Sequence, residues 1–192
     1  MKKIIIGITG ASGSIYAHRI IEELLKLQNE VHIITTQTAE EVIKYELETD
    51  IHHLIQKYEE IGKINFWNNK NLFAPIASGS FDIDAMIIVP CSMGTLAKVS
   101  NGISDNLLCR CADVCLKEKR KITLVPRESP LSSIHIENML KLSKVGVNIV
   151  PPMPSFYDKP QKIEDIINNS IGRIIKSIGI KNDIFKKWNG GN

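Results

Sequence analysis

The sequence predicts one α/β domain that is doubly wound around a mainly parallel sheet. Short, nearly all-apolar segments alternate with longer segments that carry apolar residues at helical spacing. Three of the apolar segments are closed directly by proline. Because strands that are apolar on both faces need helices on both sides, this pattern indicates a parallel sheet between two helical layers. The 192 residues of the chain suit a single domain with a sizeable core.

The first half of the chain supplies two strands and three helices. Lys3–Ile8 is a β-branched run and is predicted as the first strand. Residues 14–28 carry an apolar stripe at helical spacing and are predicted as a helix. The second strand is predicted at 31–35, and two more helices are predicted at 39–47 and Ile51–Ile61.

The second half continues the alternation after residues 65–80, which are rich in Asn and small residues and are predicted as a loop. Three more strands are predicted at 85–89, 122–125 and 147–150. Four more helices are predicted at Met93–Ser100, 106–120, 132–144 and 163–178. The expected domain spans 1–188, with a frayed tail at 189–192. This order of elements is typical of Rossmann and flavodoxin-like folds.

Composition and charge exclude several classes of function. The chain is 43% hydrophobic and 23% charged, as is ordinary for a globular protein. A net charge of +3 and an aromatic content of 6% give no support for nucleic-acid binding. No apolar run approaches the roughly 20 residues that span a bilayer, and the apolar segment at 4–8 is too short for a secretory signal. We therefore expect a cytoplasmic protein with no nucleic-acid or membrane partner.

The four cysteines are predicted to be buried thiols. Cys109, Cys111 and Cys115 fall in one predicted helix, where Cys109 and Cys111 point to nearly opposite faces. That geometry is poor for one zinc ion, and no disulfide framework is indicated. With Cys91 they are expected to pack as small apolar side chains. The histidines suggest no metal site either.

Groups suited to ligand binding follow several of the predicted strands. In open α/β sheets, ligands bind beyond the carboxyl ends of the strands. Hydroxyls, backbone donors, a charge pair and an aromatic ring occur in the segments that follow strands, at 9–13, 35–36, 90–95, 126–130 and 151–157. Their convergence on one edge of the sheet predicts a binding site there.

The segment after the first strand, GITGASG, is predicted to hold a phosphate. Glycines at Gly7, Gly10 and Gly13 would let backbone N–H groups approach an anion at the start of the next helix. The spacing differs from both the dinucleotide fingerprint and the P-loop. The second strand ends in Thr35 and Thr36, not in the acid that binds a dinucleotide ribose. An NAD oxidoreductase is therefore disfavoured, and a phosphate monoester such as FMN is allowed. The alternative is a turn that serves only tight packing.

A second charged group lies on the helix predicted at 106–120. Arg110, Asp113 and Lys117 are spaced so that they share one face of that helix. Two cations beside a carboxylate could hold a second phosphate. The same pattern also fits a solvated charged face, and the residues alone leave both interpretations open.

These segments also match a known family. The sequence resembles the UbiX-type flavin prenyltransferases, within the wider group of homo-oligomeric FMN-binding decarboxylase-like proteins. The matching segments occur in the family's order and span nearly the whole chain: GITGASG (7–13), LETD (47–50), ASGSF (77–81), PCSMGTLA (90–97), ADVCLKEKR (112–120), LVPRESPLSSIHIENM (124–139) and PPMPSFYDKPQ (151–161). Together they are far more specific than any single glycine motif.

The resemblance implies an activity that composition and spacing do not reveal. Enzymes of this family join a dimethylallyl group from dimethylallyl phosphate to N5 and C6 of reduced FMN, without a metal. The product, prenylated FMN, is the cofactor of UbiD-type decarboxylases. Family members are large homo-oligomers, typically dodecamers, with active sites at subunit contacts. The chain has no Asp-Asp-x-x-Asp motif for metal-bound diphosphate, so cations are expected to stabilise the departing phosphate.

The resemblance also assigns roles to residues. It implies that FMN is held by Ala11, Ser12, Gly13, Thr36, Ser92, Met93, Gly94, Thr95 and Arg127. It implies that the donor phosphate meets Arg110, Lys117, Tyr157 and Arg173. It implies catalytic roles for Glu128, Lys117, Glu48 and Ser12, with Glu128 as a proton donor or relay. Trp188 matches a tryptophan that covers the family's site or packs at an interface.

Two other functions remain as alternatives. An FMN-dependent cysteine decarboxylase of the same wider group would carry a Pro-x-Met-Asn-x-x-Met-Trp motif, which this chain lacks. A non-catalytic flavin carrier subunit would keep the glycine turn and lose the donor cations. Retention of Lys117, Arg127, Glu128, Tyr157 and Arg173 argues against the carrier.

Overall fold

A computed structural model gives the structure of residues 1–185. The strands are β1 (Lys3–Ile8), β2 (Glu30–Thr35), β3 (Ile64–Trp67), β4 (Ala85–Cys91), β5 (Lys121–Pro126) and β6 (Asn148–Ile149). The helices are α1 (Ser14–Lys26), α2 (Gln37–Leu47), α3 (Ile51–Ile61), α4 (Met93–Ser100), α5 (Leu107–Lys117), α6 (Ser133–Lys144) and α7 (Ile163–Ser177). A 3₁₀ turn lies at Pro75–Ala77.

The six strands form one sheet in the order β3-β2-β1-β4-β5-β6, and each pair of neighbours is parallel. Ile4 of β1 lies opposite Val31 on one side and Ala85 on the other. The strand order reverses between β1 and β4, which opens a crevice at the carboxyl ends of these two strands. The predicted doubly wound α/β fold is confirmed, and the site is expected at this crevice.

The sheet separates two apolar cores. Along β1 the side chains of Ile4, Ile6 and Ile8 pack in the core beneath α1, α2, α3 and α7. Ile5 packs in the core beneath α4, α5 and α6. This alternation follows from the two-residue period of a strand. It also places α5 and α7, which carry the two groups of predicted donor cations, on opposite faces of the sheet.

The segment 65–80 is predicted from the sequence as a loop, but its first three residues belong to strand β3. Among residues 1–185, strand β3 pairs only with β2, so it forms one edge of the sheet. Its four residues are too few for a clear alternating pattern, and the asparagines that follow suggest a turn. Contacts with β2 stabilise it: the Asn65 amide donates to Glu30 Oε1 at 3.2 Å, and Trp67 Nε1 donates to His32 Nδ1 at 3.1 Å. Tertiary pairing therefore decides this strand.

All four cysteines are free thiols and buried, as predicted. Burial raises the pKa of Cys111 to about 12 and that of Cys115 to about 11. A thiol with a raised pKa is a poor nucleophile, so burial and pKa together favour a packing role for these residues. None of the helices within residues 1–185 is both long and apolar enough to cross a membrane.

A buried ionic cluster lies under the β2–β3 edge. His32 is 1% exposed, and its Nε2 lies 3.3 Å from Glu30 Oε1. Glu30 is paired in turn with Lys63, at 2.9 Å between Oε2 and Nζ. Burial lowers the pKa of His32, and the charges of Lys3 and Lys63 act in the same direction, while Glu30 opposes them. The folded protein therefore holds His32 neutral at neutral pH.

We expect His32 to destabilise the fold in mild acid. As pH falls below about 6.5, the unfolded chain takes up this proton first, so the free energy of unfolding falls by at most about 1.4 kcal/mol per pH unit. The loss continues until the folded His32 also becomes protonated. Urea unfolding at pH 7.5 and 5.5, at one protein concentration, measures this decrease in the free energy of unfolding. In His32→Gln the decrease between the two pH values is expected to be smaller than in the wild type by up to about 1 kcal/mol. An equal decrease in the variant and the wild type contradicts the prediction.

Candidate functional site

The loops after β1 and β4 are tied together at the crevice. Thr9 Oγ1 donates to the carbonyl of Pro90 at 2.8 Å and accepts from the Ser92 N–H at 2.7 Å. The loop after β5 joins them, because the Arg127 N–H donates to the Cys91 carbonyl at 3.3 Å. Three of the five segments that were predicted to converge therefore meet at one edge of the sheet, here called the rim.

Glycine is favoured at two positions of the turn for different structural reasons. Gly13 has a φ of 110°, in the left-handed region that favours glycine, and is the N-cap of α1. Gly10 lies against the start of α2: a Cβ added there would approach Thr38 Cγ2 to 2.5 Å. The turn is therefore shaped both by its backbone conformation and by close packing against the next helix.

The first N–H groups of α1, which we predicted to face a phosphate, are occupied by a side chain. Glu46 of α2 accepts from the Gly13 N–H at 3.1 and 3.0 Å with its two carboxylate oxygens, and from the Ser14 N–H at 2.7 Å. Burial opposes ionisation of this carboxyl, but hydrogen bonds from Ser12, Ser14 and Gly13 outweigh it and lower the pKa of Glu46. Sequence reasoning missed Glu46, because nothing in the spacing indicates that α2 returns to α1.

Two further helices that begin at the rim, α2 and α4, are capped by hydroxyls. Thr36 Oγ1 accepts from the Ala39 N–H of α2 at 3.2 Å. Ser92 Oγ accepts from the Thr95 N–H of α4 at 3.3 Å and donates to Thr95 Oγ1 at 3.1 Å. A neutral cap leaves the positive end of the helix dipole uncompensated, which favours an anion.

Open space adjoins the start of α4. A Cβ added at Gly94 would meet no atom within 4 Å, and Gly94 is exposed. Ser12 is also exposed, whereas Ala11 and Met93 are buried beneath the rim. The start of α4 therefore leaves open space at the rim beside its hydroxyl cap, Ser92.

Glu48 has an unusual backbone. It ends α2 with a φ of 52° and a ψ of 29°, a left-handed conformation that costs a non-glycine residue free energy. Its exposed side chain lies in a surface depression with Lys44, His53 and Lys57.

The substitution Glu48→Gly is expected to stabilise the protein and to slow its reaction. Glycine relieves the left-handed backbone, and after its extra entropy in the unfolded chain the gain is about 0.5–1 kcal/mol. Gln28→Gly is the matched control, because Gln28 has a φ of 57° and no predicted role. Urea unfolding and initial rates measure both variants. If Glu48→Gly reacts at the wild-type rate, the predicted catalytic role of Glu48 is contradicted. If Glu48→Gly is less stable than the wild type, the proposed backbone strain at Glu48 is contradicted.

Arg127 and Glu128 follow β5 directly and project from the rim. Both side chains are exposed. Glu128 Oε1 accepts from the Ser129 N–H at 3.0 Å, and these two described neighbours form no ion pair with each other. Each charge is thus available to a ligand.

The predicted donor residues form two separate groups. On α7, the Arg173 guanidinium donates to the Tyr157 hydroxyl, and its carbon lies 5.9 Å from the centres of the Tyr157 and Phe185 rings. On α5, Arg110 pairs with Asp113 at 2.9 Å and donates to the Ala77 carbonyl at 3.2 Å.

Lys117 lies apart from the rim. It ends α5 four residues before β5 begins, so it lies near the amino ends of the strands, and it pairs with Glu118 at 2.8 Å. Because α5 and α7 cover opposite faces of the sheet, one chain does not bring Lys117 and Arg173 to one phosphate. Trp188 and the predicted tail at 189–192 lie outside the described residues.

Residues 1–175 match the protein-family model described as Flavoprotein. The flavin prenyltransferase UbiX of Methanocaldococcus jannaschii is 48% identical over 188 residues, which cover 97% of this chain and 98% of that protein. The flavin prenyltransferase UbiX of Alkalihalophilus pseudofirmus is 46% identical over 190 residues, which cover 95% of this chain and 94% of that protein.

Solved structures agree with these relatives. AnUbiX (PadA1), in complex with FMN and dimethylallyl pyrophosphate, superposes with a TM-score of 0.92 at 40% identity over 98% of both chains. A dodecameric FMN-dependent UbiX-like decarboxylase from Escherichia coli O157:H7 has a TM-score of 0.91 at 39% identity, over 98% of this chain and all of that one. The cysteine decarboxylase TvaF, at 14% identity and a TM-score of 0.66, shares the fold alone.

Proposed function

Because the chain belongs to the UbiX-type flavin prenyltransferases of the Flavoprotein family, we propose that it joins the dimethylallyl group of dimethylallyl phosphate to reduced FMN. The observation that carries the proposal is the full-length match to a structure solved with FMN and a dimethylallyl donor. The C–O bond of the donor breaks and its electron pair leaves with the phosphate. A new bond forms at N5 of the flavin, and the N5 proton passes in net to the phosphate. A second bond forms at C6 with the electrons of the dimethylallyl double bond, and the C6 proton passes in net to the neighbouring prenyl carbon.

The rim supplies the flavin's binding groups in this proposal. The phosphate of FMN is held by the hydroxyl-capped starts of α2 and α4, through Thr36, Ser92 and Thr95, and by Arg127. The ring system lies over the open space at Gly94, beside Ser12. This arrangement uses neutral caps for the anion and keeps the phosphate apart from the carboxylate of Glu46.

The departing phosphate is stabilised by side-chain cations. Within residues 1–185, no group of three or more His, Cys, Asp or Glu side chains could hold a metal ion. Arg173, oriented by Tyr157, presents a guanidinium that can bind two phosphate oxygens at once. Glu128, exposed at the rim, delivers the proton to the leaving phosphate.

We place the complete donor site between two copies of the chain. Arg173 belongs to one face of the sheet and Lys117 to the other, so a second copy has to supply one of them. An apolar surface suited to such contact lies on α6, where Ile136 and Leu140 share one face of the helix and are both more than half exposed. A homo-oligomer, in the form of a dodecamer, covers this surface.

The product is proposed to serve a UbiD-type decarboxylase, as the family membership implies. We also propose that the protein acts in the cytoplasm, where four buried thiols stay reduced.

An anaerobic mass measurement tests the proposed function. The protein is mixed with reduced FMN and dimethylallyl phosphate, without added metal, and the mass of the extracted flavin is measured by mass spectrometry. We expect the flavin to gain one five-carbon prenyl unit. A parallel reaction with dimethylallyl diphosphate determines which donor is preferred. Bound but unchanged flavin with both donors overturns the proposal in favour of a carrier. Decarboxylation of a cysteine-ended peptide by the oxidised protein would favour the decarboxylase.

A further inference from the structure

Three residues of α7, spaced four apart, hold the loop that precedes this helix. Asp165, Asn169 and Arg173 lie on one face of α7, on successive turns. Asp165 accepts from two successive backbone N–H groups at the end of the loop, at 2.9 and 3.2 Å. At the other end of this row, the Arg173 guanidinium donates to the Tyr157 hydroxyl. The loop therefore runs back along the same face of the helix that carries the row.

Asn169 makes the buried contact of the row. Its side-chain amide donates to Asp158 Oδ2 at 2.5 Å, and Asn169 is only 4% exposed. Because a carboxylate accepts hydrogen bonds and does not donate them, the NH₂ group of Asn169 has to face it. Tyr157 and Arg173, by contrast, are exposed. A buried hydrogen bond is costly to break, whereas an exposed pair holds its own geometry weakly, so the bond between Asp158 and Asn169 decides where the loop lies.

Asp158 and Tyr157 belong to one tight turn of the backbone. The Lys159 N–H donates to the Phe156 carbonyl at 3.1 Å, so Tyr157 and Asp158 are the two central residues of the turn at 156–159. Lys159 has a φ of 53°, a left-handed conformation that costs a residue other than glycine free energy. The contact with α7 offsets this cost. Because the two side chains share one turn, the bond that fixes Asp158 also fixes Tyr157.

We propose that Asp158 and Asn169 are positioning residues for the donor phosphate. Their bond holds the turn at 156–159 against α7, so that Tyr157 orients the Arg173 guanidinium before the donor binds. The pair acts through Arg173 and touches neither substrate. Its effect on the donor rests on the proposed prenyl transfer. Its hold on the turn does not, because that is measured without turnover.

Anaerobic initial rates and FMN titration test the effect on the donor. Asp158→Ala and Asn169→Ala are each expected to raise the donor KM about five- to tenfold, with the Kd of FMN changed less than about twofold. Asp158→Asn keeps an oxygen that accepts from Asn169, so its donor KM is expected to stay within about twofold of the wild-type value. An unchanged KM in the alanine variants, an equal rise in the Kd of FMN, or an Asp158→Asn variant as impaired as Asp158→Ala overturns the proposal.

A double variant tests whether the pair acts through Arg173. In Arg173→Ala the guanidinium is removed, so adding Asn169→Ala is expected to raise the donor KM by less than about twofold. If the two rises multiply, the pair acts by another route and the proposal is overturned. Asn168→Ala is the matched control, because Asn168 is the preceding residue of α7 and accepts from Arg19 of α1 at 3.3 Å. Its donor KM is expected to match the wild type, and a rise as large as that of Asn169→Ala overturns the proposal.

Hydrogen exchange, followed by mass spectrometry, tests the hold on the turn without turnover. Peptides that cover residues 153–162 are compared between the FMN-loaded wild type and Asp158→Ala. The variant is expected to exchange about fivefold faster there, because opening of the turn exposes the Lys159 N–H, and to match the wild type in β1 and β4. Equal exchange in the turn overturns the proposal. If the wild type makes no prenylated flavin, the proposed function fails, whereas this comparison still tests the hold on the turn.

The partly exposed position of Asp158 protects the test against misfolding. Asn169 is buried, so Asn169→Ala also leaves a cavity and lowers the melting temperature. If Asn169→Ala does not fold, Asp158→Ala and Asp158→Asn carry the same comparison, because Asp158 is only half-buried. A normal donor KM together with normal exchange in Asp158→Ala then overturns the proposal.

Discussion

Glu128→Gln is expected to bind FMN as the wild type does and to lose most of its turnover. Glutamine keeps the size and the carbonyl of the side chain, but it has no acidic proton to give to the leaving phosphate. General acid catalysis of this kind contributes about 10²–10⁴-fold, so kcat is expected to fall at least about 100-fold. Because the side chain is exposed and the proposed flavin contact is Arg127, the Kd of FMN is expected to change less than threefold.

The measurement combines anaerobic initial rates with FMN titration by fluorescence. Glu60→Gln, an exposed change on α3 outside the rim, is the matched control and is expected to keep full activity. A fully active Glu128→Gln enzyme would remove Glu128 from the reaction. Joint loss of turnover and of FMN binding would instead assign the residue to the flavin site.

Arg173→Ala is expected to weaken binding of the donor far more than binding of the flavin. A guanidinium on a phosphate is a charge-assisted hydrogen-bonding pair of about 1.5–3 kcal/mol, so the donor KM is expected to rise roughly 10- to 100-fold. The pair of Arg173 with Tyr157 orients the guanidinium before the donor arrives. The Kd of FMN is expected to remain within threefold of the wild-type value.

Initial rates at varied donor concentration and FMN titration measure the two effects separately. Arg173→Lys keeps the positive charge but lacks the planar guanidinium that can donate two parallel hydrogen bonds. Its donor KM is expected to lie between those of the wild type and Arg173→Ala. Lys176→Ala changes an exposed cation one turn further along α7 and is the control for net charge. Equal loss of donor and flavin binding would contradict the assignment.

A mixing experiment extends this prediction to the arrangement of subunits. Chains carrying Lys117→Ala and chains carrying Arg173→Ala are co-expressed and co-purified. If one site takes Lys117 and Arg173 from different copies, some mixed sites keep both cations, and part of the activity returns. If both cations came from one copy, every mixed site would lack one of them, and no activity would return.

The sequence was sufficient to predict most of the fold. Strands β1, β4 and β5 are long apolar runs whose burial on both faces leaves no alternative to a covered parallel sheet. Strand β3 was missed because four residues at an edge carry little pattern, and their pairing with His32 and Glu30 arises only in the folded chain. The last strand is also shorter than predicted, at Asn148–Ile149.

For the site, the sequence by itself determined which chemical groups are present. Only the tertiary structure decided how these groups are arranged. Thr9, Ser92 and Arg127 follow strand ends, so a parallel sheet necessarily collects them on one edge. The positions of Glu46 and Arg173 do not follow from the ends of the strands. Their positions depend on how α2 and α7 pack against α1 and the sheet, and packing between distant segments is set by side-chain fit that spacing along the chain does not encode.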